Sequence, residues 1–361
     1  MMKKAGLYDF LSSIVVIIIG LFIGFLILLL SDASQAPTAF GLILTSGFSS
    51  MRNLGDVLLL AAPIILTGLS VAFAFKTGLF NIGASGQFTI GGFLAVYISV
   101  TFVDVPPALR IVLALTAATI GGALWGAIPG LLKAYRNVHE VIGSIMTNYV
   151  GMLLVNYLII THIFDPLGTS QRLPAEATLP TFGLERIFTD GARISHINIG
   201  IFIAILVAIL IYVVLEKTTF GYELKACGLN KDAAHYAGIN AKRNVVYSMM
   251  ISGALAGLAG AINFMGSAGL AMGTVDVLAP EGFVGISVAF LAMSHPLGVI
   301  FSGLLISYLS LGGSGLQALG FSFELIQMVI AIIIYFCAFV FLVKSFLKKH
   351  TQRFSKLKEE S

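Results

Sequence analysis

Long apolar stretches, each closed by a short polar or glycine-rich segment, recur along the whole chain. A membrane-spanning helix needs about 20 consecutive apolar residues. The pattern therefore predicts an all-α polytopic membrane protein, a bundle of about ten transmembrane helices in one domain. The predicted spans are residues 10–30, 57–75, 86–103, 111–131, 141–161, 197–215, 244–264, 282–294, 297–311 and 325–343.

Two of the predicted spans are short, 282–294 and 297–311. Apolar stretches of about 10–14 residues are typical of re-entrant segments or half-helices as much as of full spans. Proline lacks an amide donor and clashes with the preceding turn, so Pro296 should begin or break a helix. We therefore expect broken or re-entrant helices within 265–311.

Composition and charge support a membrane protein. Of the 361 residues, 58% are hydrophobic and 11% are charged, whereas a soluble domain carries about 25% charged residues. Ten spans with a cytoplasmic N-terminus leave sixteen of the 21 lysines and arginines on the inner side. The positive-inside rule thus predicts cytoplasmic N- and C-termini, including a basic tail over 344–361. The same bias accounts for the net charge of +4 without a nucleic-acid partner.

Two loops are long. Residues 162–196 are polar, contain three prolines and are predicted to be an extracellular loop. Residues 216–243 form the predicted cytoplasmic loop, in which two short helices are punctuated by glycines. Asn230 is expected to cap the second helix and Gly238 to end it. This loop is either a solvated connection or a docking element for a partner, and its compact Ala233-Ala234 pair favours docking.

Several chemical signatures are missing from the sequence. It contains no GxxxxGK[ST] phosphate loop, no HExxH or GxSxG motif, no CxxC or Cys/His cluster, and no pair of carboxylates within a predicted span. We therefore expect no catalytic residues, no metal site and no cofactor bound by this chain. Ionisable groups inside a bilayer normally mark ion paths, so their scarcity argues against an ion-driven carrier and an intramembrane enzyme.

Polar residues within the spans leave two interpretations open. The glycine-rich segment 76–92 holds Asn81 and Gln87 and is either a broken helix beside a translocation pathway or a tight turn between two helices. Asn148 and Asn156 share one face of a predicted helix, and Asn263 ends a later one. Such amides can bind a neutral polar solute, or they can hold helices together.

Small residues recur every fourth position in three places and predict close helix packing. They are Gly122, Gly126 and Gly130; Gly253, Gly257 and Ala261; and Gly269 and Gly273.

Three segments carry a family resemblance. Residues 221–239 resemble the coupling-loop signature of bacterial ABC importer permeases, in the branch that serves ribose-type sugars, branched-chain amino acids and nucleosides. Residues 68–87 and 140–149 are also similar to this family and look closest to its nucleoside and simple-sugar members.

The resemblance implies a type II ABC importer permease in a bacterial plasma membrane. It would work with a second permease subunit, a paralogue by resemblance, and with two ATPase subunits or one fused double ATPase that use ATP and Mg. An extracellular substrate-binding protein or lipoprotein would deliver a nucleoside or related neutral polar solute. A ribose-type sugar or a branched-chain amino acid is the alternative solute, and an ion-coupled secondary transporter or channel is the alternative class.

The resemblance also assigns roles to particular residues. The coupling positions facing the ATPase are Gly221, Glu223, Ala226, Gly228, Asn230, Ala233, Ala234 and Gly238. The candidate residues of the substrate pathway are Phe80, Asn81, Gln87, Asn148 and Asn263.

Overall fold

The computed structural model describes residues 2–191, 193–337 and 339–346, most of which lie in helices. The helices are α1 Met2–Ser31, α2 Ala36–Thr45, α3 Met51–Lys76, α4 Ala84–Thr101, α5 Pro107–Arg136, α6 Glu140–His162, α7 Gly200–Lys217, α8 Thr219–Leu229, α9 Lys231–Tyr236, α10 Ala241–Phe264, α11 Pro280–Leu291, α12 Pro296–Ser314 and α13 Phe323–Cys337. The strands within these ranges are β1 Phe164–Asp165, β2 Thr169–Ser170, β3 Thr189–Asp190 and β4 Arg193–Ile194, paired as two antiparallel hairpins. The predicted all-α fold class is confirmed.

Each predicted span coincides with a helix, and one helix was not predicted. The short helix α2 continues as a 3-10 turn to Phe48. Together they form an apolar helical element that is too short to cross a membrane. A proline in its first turn and a length of 10 residues kept its apolar signal below that of a span. The predicted tail 344–361 lies outside the described residues from 347 onward.

Within the described ranges, seven helices are long and apolar enough to cross a membrane: α1, α3, α5, α6, α7, α10 and α12. The number becomes eight if Glu324–Phe336 and Val340–Phe346, inclined by 42°, count as one span. The α4 helix, whose first turn is polar, is not among the seven, so ten spans remain a prediction.

The region of the two short predicted spans needs a correction. The predicted span 297–311 lies within an apolar helical stretch of 22 residues, Pro296–Gln317, which is long enough to be a full span. In contrast, α11 has 12 residues and ends at Leu291. Met293 and Ser294 then adopt left-handed backbone conformations that turn the chain into Pro296. One half-helix followed by one full-length helix therefore replaces the two short spans.

The α3 helix forms the centre of the bundle. Buried residues make up 83% of its most apolar window, compared with 28% for α5 and 22% for α1. A helix that is apolar on all sides is stable only when other helices surround it, and α7, α10, α11 and α12 all pack against α3.

Glycines allow α5 and α10 to approach until their backbones touch. A Cβ on Gly122 would overlap the carbonyl oxygen of Gly253, and one on Gly126 would lie 2.5 Å from the carbonyl oxygen of Met249. The predicted close packing of these two ladders is confirmed. The third ladder is wrong, because Gly269 and Gly273 lie in the non-helical segment 265–279, where Gly269 has a φ of +78°.

The loop between α6 and α7 is folded onto the segment that follows α10. The amides of Ser170 and Leu173 donate to the carbonyl oxygens of Met272 and Leu270, both at 2.8 Å. Leu173 is 2% exposed and belongs to the main hydrophobic core of the bundle, so the loop is packed against the helices. The ends of α6 and α7 agree with the predicted loop bounds 162–196 to within a few residues.

Candidate functional site

Residues 77–83 connect α3 to α4 without forming a helix, and we call them the inner crossing. Asn81 Nδ2 donates to Gln87 Oε1 and to Ser252 Oγ, both at 2.7 Å, and Gln87 Nε2 donates back to Asn81 Oδ1 at 3.2 Å. Asn81, Gln87 and Ser252 are fully buried. Their hydrogen bonds join the inner crossing to α4 and α10.

Asn148 closes the same region from α6. Its Oδ1 accepts from the Gly86 amide at 2.8 Å, and its Nδ2 donates to the carbonyl oxygen of Ile82 at 2.9 Å. Asn148 is 1% exposed. The geometry of Asn81, Gln87 and Asn148 therefore favours the interpretation in which amides hold helices together.

The other two predicted pathway residues lie apart from this network. Phe80 is half-buried and stacks on Phe290 of α11, with ring centroids 6.1 Å apart and an interplanar angle of 11°. Asn263 is half-buried near the C-terminal end of α10. The pathway role of all five residues stays a prediction.

A cleft of about 300 Å³ opens on another part of the bundle. It is bounded by α4, α6, the end of α10, and the non-helical residues 265–279, which we call the outer crossing. None of the five predicted pathway residues lines it. Its walls are Phe88, Thr89, Met152, Asn156, Phe264, Met272, Gly273, Val275, Val277, Leu278, Ala279, Pro280 and Glu281.

Glu281 is the residue of this cleft that sequence reasoning missed. It lies in the first turn of α11, and the adjacent Gly282 packs against the backbone of Ala84 and Ser85 on α4. The carboxylate thus lies at the start of a helix packed between other helices. Pro280-Glu281 immediately before an apolar run was the available signal, but we took it as the boundary of the span 282–294.

The α8 and α9 helices follow the C-terminal end of α7. Thr218 Oγ1 caps α8 by accepting from the Gly221 amide at 3.1 Å. Asn230 Oδ1 caps α9 by accepting from the amides of Asp232 and Ala233, each at 3.0 Å. Gly238, with a φ of +77°, ends α9. The predicted cap at Asn230 and stop at Gly238 are confirmed.

The predicted coupling residues do not share one surface. Gly221 packs on the backbone of α7, Ala234 is 3% exposed, and Glu223 lies 3.5 Å from Arg243 Nη2 on α10. Ala226 is half-buried. The exposed members are Gly228, Asn230, Ala233 and Gly238.

The most exposed apolar side chains of α8 and α9 are large ones absent from the predicted set. Leu229 is 89% exposed, Tyr236 is 92% exposed and Tyr222 is 69% exposed. Large apolar side chains protruding beside polar residues mark surfaces for protein contact. We call these three residues the docking knobs.

Gly228 joins α8 to the inner crossing. A Cβ on Gly228 would lie 2.6 Å from the carbonyl carbon of Thr77 and 2.7 Å from the amide nitrogen of Gly78. Gly78 has a φ of +74°, a backbone conformation that favours glycine. Two backbones therefore meet with no side chain between them.

His295 lies close to this end of the bundle, in the turn between α11 and α12. Its ring centroid is 5.7 Å from that of Tyr212. Burial lowers the pKa of His295, the Lys76 ammonium lowers it further, and the Glu216 carboxylate opposes the shift. The imidazole is therefore mainly neutral at pH 7.

A bundle of membrane-length helices, a mainly apolar cleft with a few polar groups, and an exposed helical element at one end are the features of an integral membrane transport subunit. Across the described ranges, no three His, Cys, Asp or Glu side chains are grouped to hold a metal ion. The chain belongs to the family described as branched-chain amino acid transport system / permease component, whose model matches residues 53–338. Membership implies ATPase and substrate-binding partners.

Three individual permeases are similar to this chain over most of its length. The chain is 39% identical to the guanosine ABC transporter permease protein NupP of Bacillus subtilis, over 91% of this chain and 92% of the relative. It is 35% identical to the nucleoside ABC transporter permease protein NupB of Lactococcus lactis, over 94% and 93% of the two chains. It is 32% identical to the glucose ABC transporter permease protein TsgB13 of Haloferax volcanii, over 82% and 79%.

Proposed function

We propose that the chain is the permease subunit of an ATP-driven importer and translocates a nucleoside. The observation that carries the coupling is the contact between Gly228 of α8 and Gly78 of the inner crossing. The solute class rests on the two nucleoside permeases that this chain resembles over more than nine-tenths of its length.

ATP hydrolysis takes place in partner chains, either two ATPase subunits or one fused double ATPase, which bind the ATP and Mg. Closure of the ATPase pair moves the docking knobs. The displacement reaches the inner crossing through Gly228 and reaches α10 through the ion pair of Glu223 with Arg243. Access to the pathway then switches between the outer and inner sides.

The remaining assembly follows from the same proposal. A second permease subunit, a paralogue of this chain, completes the membrane unit, and an extracellular substrate-binding lipoprotein delivers the solute. Both termini are cytoplasmic, as supported by the predicted placement of sixteen of the 21 basic residues on the inner side. The membrane is a bacterial plasma membrane, as supported by the two nucleoside permeases from bacteria that the chain resembles.

A sugar is the second candidate solute, because one relative is named as a glucose permease. Nucleosides and sugars are both neutral and rich in hydrogen-bonding groups. Uptake separates them: cells that express the complete transporter should accumulate labelled guanosine or another nucleoside, and unlabelled nucleosides should compete better than glucose, ribose or leucine. Preferential competition by glucose or ribose would assign the transporter to sugars.

The energy source has its own test. Purified chain alone in liposomes should not accumulate nucleoside under a proton or sodium gradient, whereas the complex with its ATPase should do so when ATP is supplied. Gradient-driven uptake by the chain alone would identify a secondary transporter.

One docking knob, Leu229, can be compared with an exposed leucine elsewhere in the chain. Leu229 on α8 is 89% exposed and Leu167, in the loop between α6 and α7, is 70% exposed. We expect Leu229→Ser to weaken co-purification of the ATPase, while Leu167→Ser leaves it unchanged. Equal co-purification of both variants would contradict a docking role for α8.

A further inference from the structure

We propose that Glu281 recognises the solute in the cleft, by accepting hydrogen bonds from a pair of neighbouring N–H or O–H donors on a nucleoside. This inference rests on the proposed import of nucleosides and names the specificity-determining residue of that pathway.

The cleft has the composition of a small-molecule site. Its volume of about 300 Å³ is at the lower end of the range for ligand pockets, which are mostly apolar with a few placed polar groups. Side chains of Met152, Met272 and Phe264 supply apolar wall, and Thr89, Asn156 and Glu281 supply polar groups.

A carboxylate in a mainly apolar wall needs hydrogen-bond donors. An ionised carboxylate only accepts hydrogen bonds, through two oxygens, and burying it unpaired is costly. Neither lysine nor arginine lines the cleft, and Glu281 takes part in none of the ion pairs found among the described residues. Glu281 lies in the first turn of the 12-residue α11, where the helix N-terminus carries partial positive charge, and it lines the open cleft.

The chain just before Glu281 is fixed from two helices. Ser85 Oγ of α4 donates to the carbonyl oxygen of Ala279 at 2.8 Å. Asn156 Nδ2 of α6 donates to the carbonyl oxygen of Val275 at 2.9 Å. A recognition group held in place before the ligand arrives loses less entropy on binding.

Aromatic rings complete the site. Phe88 and Phe264 lie in the same wall, with ring centroids 6.2 Å apart and planes inclined by 52°. Bases stack on aromatic side chains regardless of sequence. Phe88 is 1% exposed and supports the half-buried Phe264, so a nucleoside can place its base against the Phe264 ring while paired donors face Glu281. Those donors come either from the base edge, as in the N1–H and 2-amino group of guanine, or from the 2′- and 3′-hydroxyls of ribose.

The test is Glu281→Gln, which keeps the shape of the side chain and replaces one acceptor oxygen by an amide donor. Uptake by the complete transporter is measured for guanosine, inosine, uridine and 2′-deoxyguanosine, at equal amounts of chain in the membrane. We expect kcat/KM for the best solute to fall by roughly tenfold or more, because a site built for hydrogen bonds loses a matched partner. Asp104→Asn, in the exposed turn before α5, is the control and should leave uptake unchanged.

The solute panel identifies the source of the donors. A loss that is largest for guanosine and 2′-deoxyguanosine assigns them to the base, and a loss that spares 2′-deoxyguanosine assigns them to the ribose. Unchanged uptake, or an equal loss for all four solutes, would overturn the role of Glu281. If the wild-type transporter moves none of the four, the proposed nucleoside function itself fails, which is a distinct outcome.

Discussion

The inner and outer crossings are both stretches of irregular backbone packed among helices, yet they treat their polar groups in opposite ways. At the inner crossing, the side chains of Asn81 and Gln87 hydrogen-bond to each other, and Asn81 also donates to Ser252. Next to the outer crossing, in the first turn of α11, the Glu281 side chain lines an open cleft.

This difference shows which buried polar groups belong to the framework and which are available to a solute. Irregular backbone within a bundle is tolerated only when protein or a water-filled cavity satisfies it. Protein groups satisfy both crossings, but the outer crossing also lines a cavity. A polar side chain whose hydrogen-bonding groups are all paired within the protein belongs to the framework. A polar side chain that lines the cavity with unpaired groups is available to a solute.

The largest effect is expected where the inner crossing meets α8. Gly228→Ala places a methyl group against the backbone of Thr77 and Gly78. Overpacking of this kind costs about 1–3 kcal/mol, so we expect nucleoside uptake per ATP hydrolysed to fall about tenfold or more. The control is Gly315→Ala, where the added methyl group meets nothing within 4 Å. Normal coupling in Gly228→Ala would contradict the proposal that the contact between α8 and the inner crossing transmits motion.

The next prediction separates framework from pathway. Asn81→Ala leaves the buried Gln87 side chain without its hydrogen-bond partner, which costs about 1–3 kcal/mol of unfolding free energy, whereas Ser252 keeps its hydrogen bonds to Ser70. We expect a lower thermal unfolding midpoint in detergent, with uptake reduced only in proportion to folded protein. An unchanged midpoint with uptake abolished would instead restore Asn81 to the pathway.

A smaller loss of stability is expected at the outer crossing. Asn156→Ala removes one hydrogen bond to Val275, and such bonds between membrane helices average about 0.6 kcal/mol. The unfolding midpoint should barely move, while KM for the solute rises because the segment before Glu281 is less well fixed. A fall in kcat with constant KM would contradict a positioning role.

The smallest effect is expected for Glu176→Gln in the loop between α6 and α7. Glu176 Oε2 lies 3.5 Å from Nη2 of Arg110, but its side chain is 74% exposed. The partner Arg110 is 1% exposed, but solvent screens the exposed Glu176 carboxylate and keeps the pair near the range of about 0.2–1 kcal/mol found for surface pairs; the amide of the variant also retains an acceptor. Stability should change at the low end of that range, as measured by denaturant unfolding. A larger loss would show that this ion pair holds the loop over the outer crossing.

Helices and caps were predictable from the sequence because their signals are local. Every predicted span overlaps a helix, and Asn230 and Gly238 have the roles that capping rules assign to them. The partners of polar groups were not predictable. Ser252 lies 171 residues from Asn81, and no local pattern indicates that pairing.

The coupling residues show the same limit at shorter range. The compact pair Ala233-Ala234 suggested a surface that fits a groove. In the structure Ala234 is buried, while Leu229 and Tyr236 protrude. Helical periodicity in α9, which has 6 residues, is too short to indicate which face is turned outward.

The docking of the loop between α6 and α7 onto the outer crossing also has a consequence for biosynthesis. Leu173 hydrogen-bonds to Leu270, a residue synthesised almost a hundred positions later. At about 5–20 residues per second, several seconds pass between the synthesis of the loop and the synthesis of its partner. During that interval the loop is open to proteases, and a nascent chain that stops before α10 has inserted never acquires this protection.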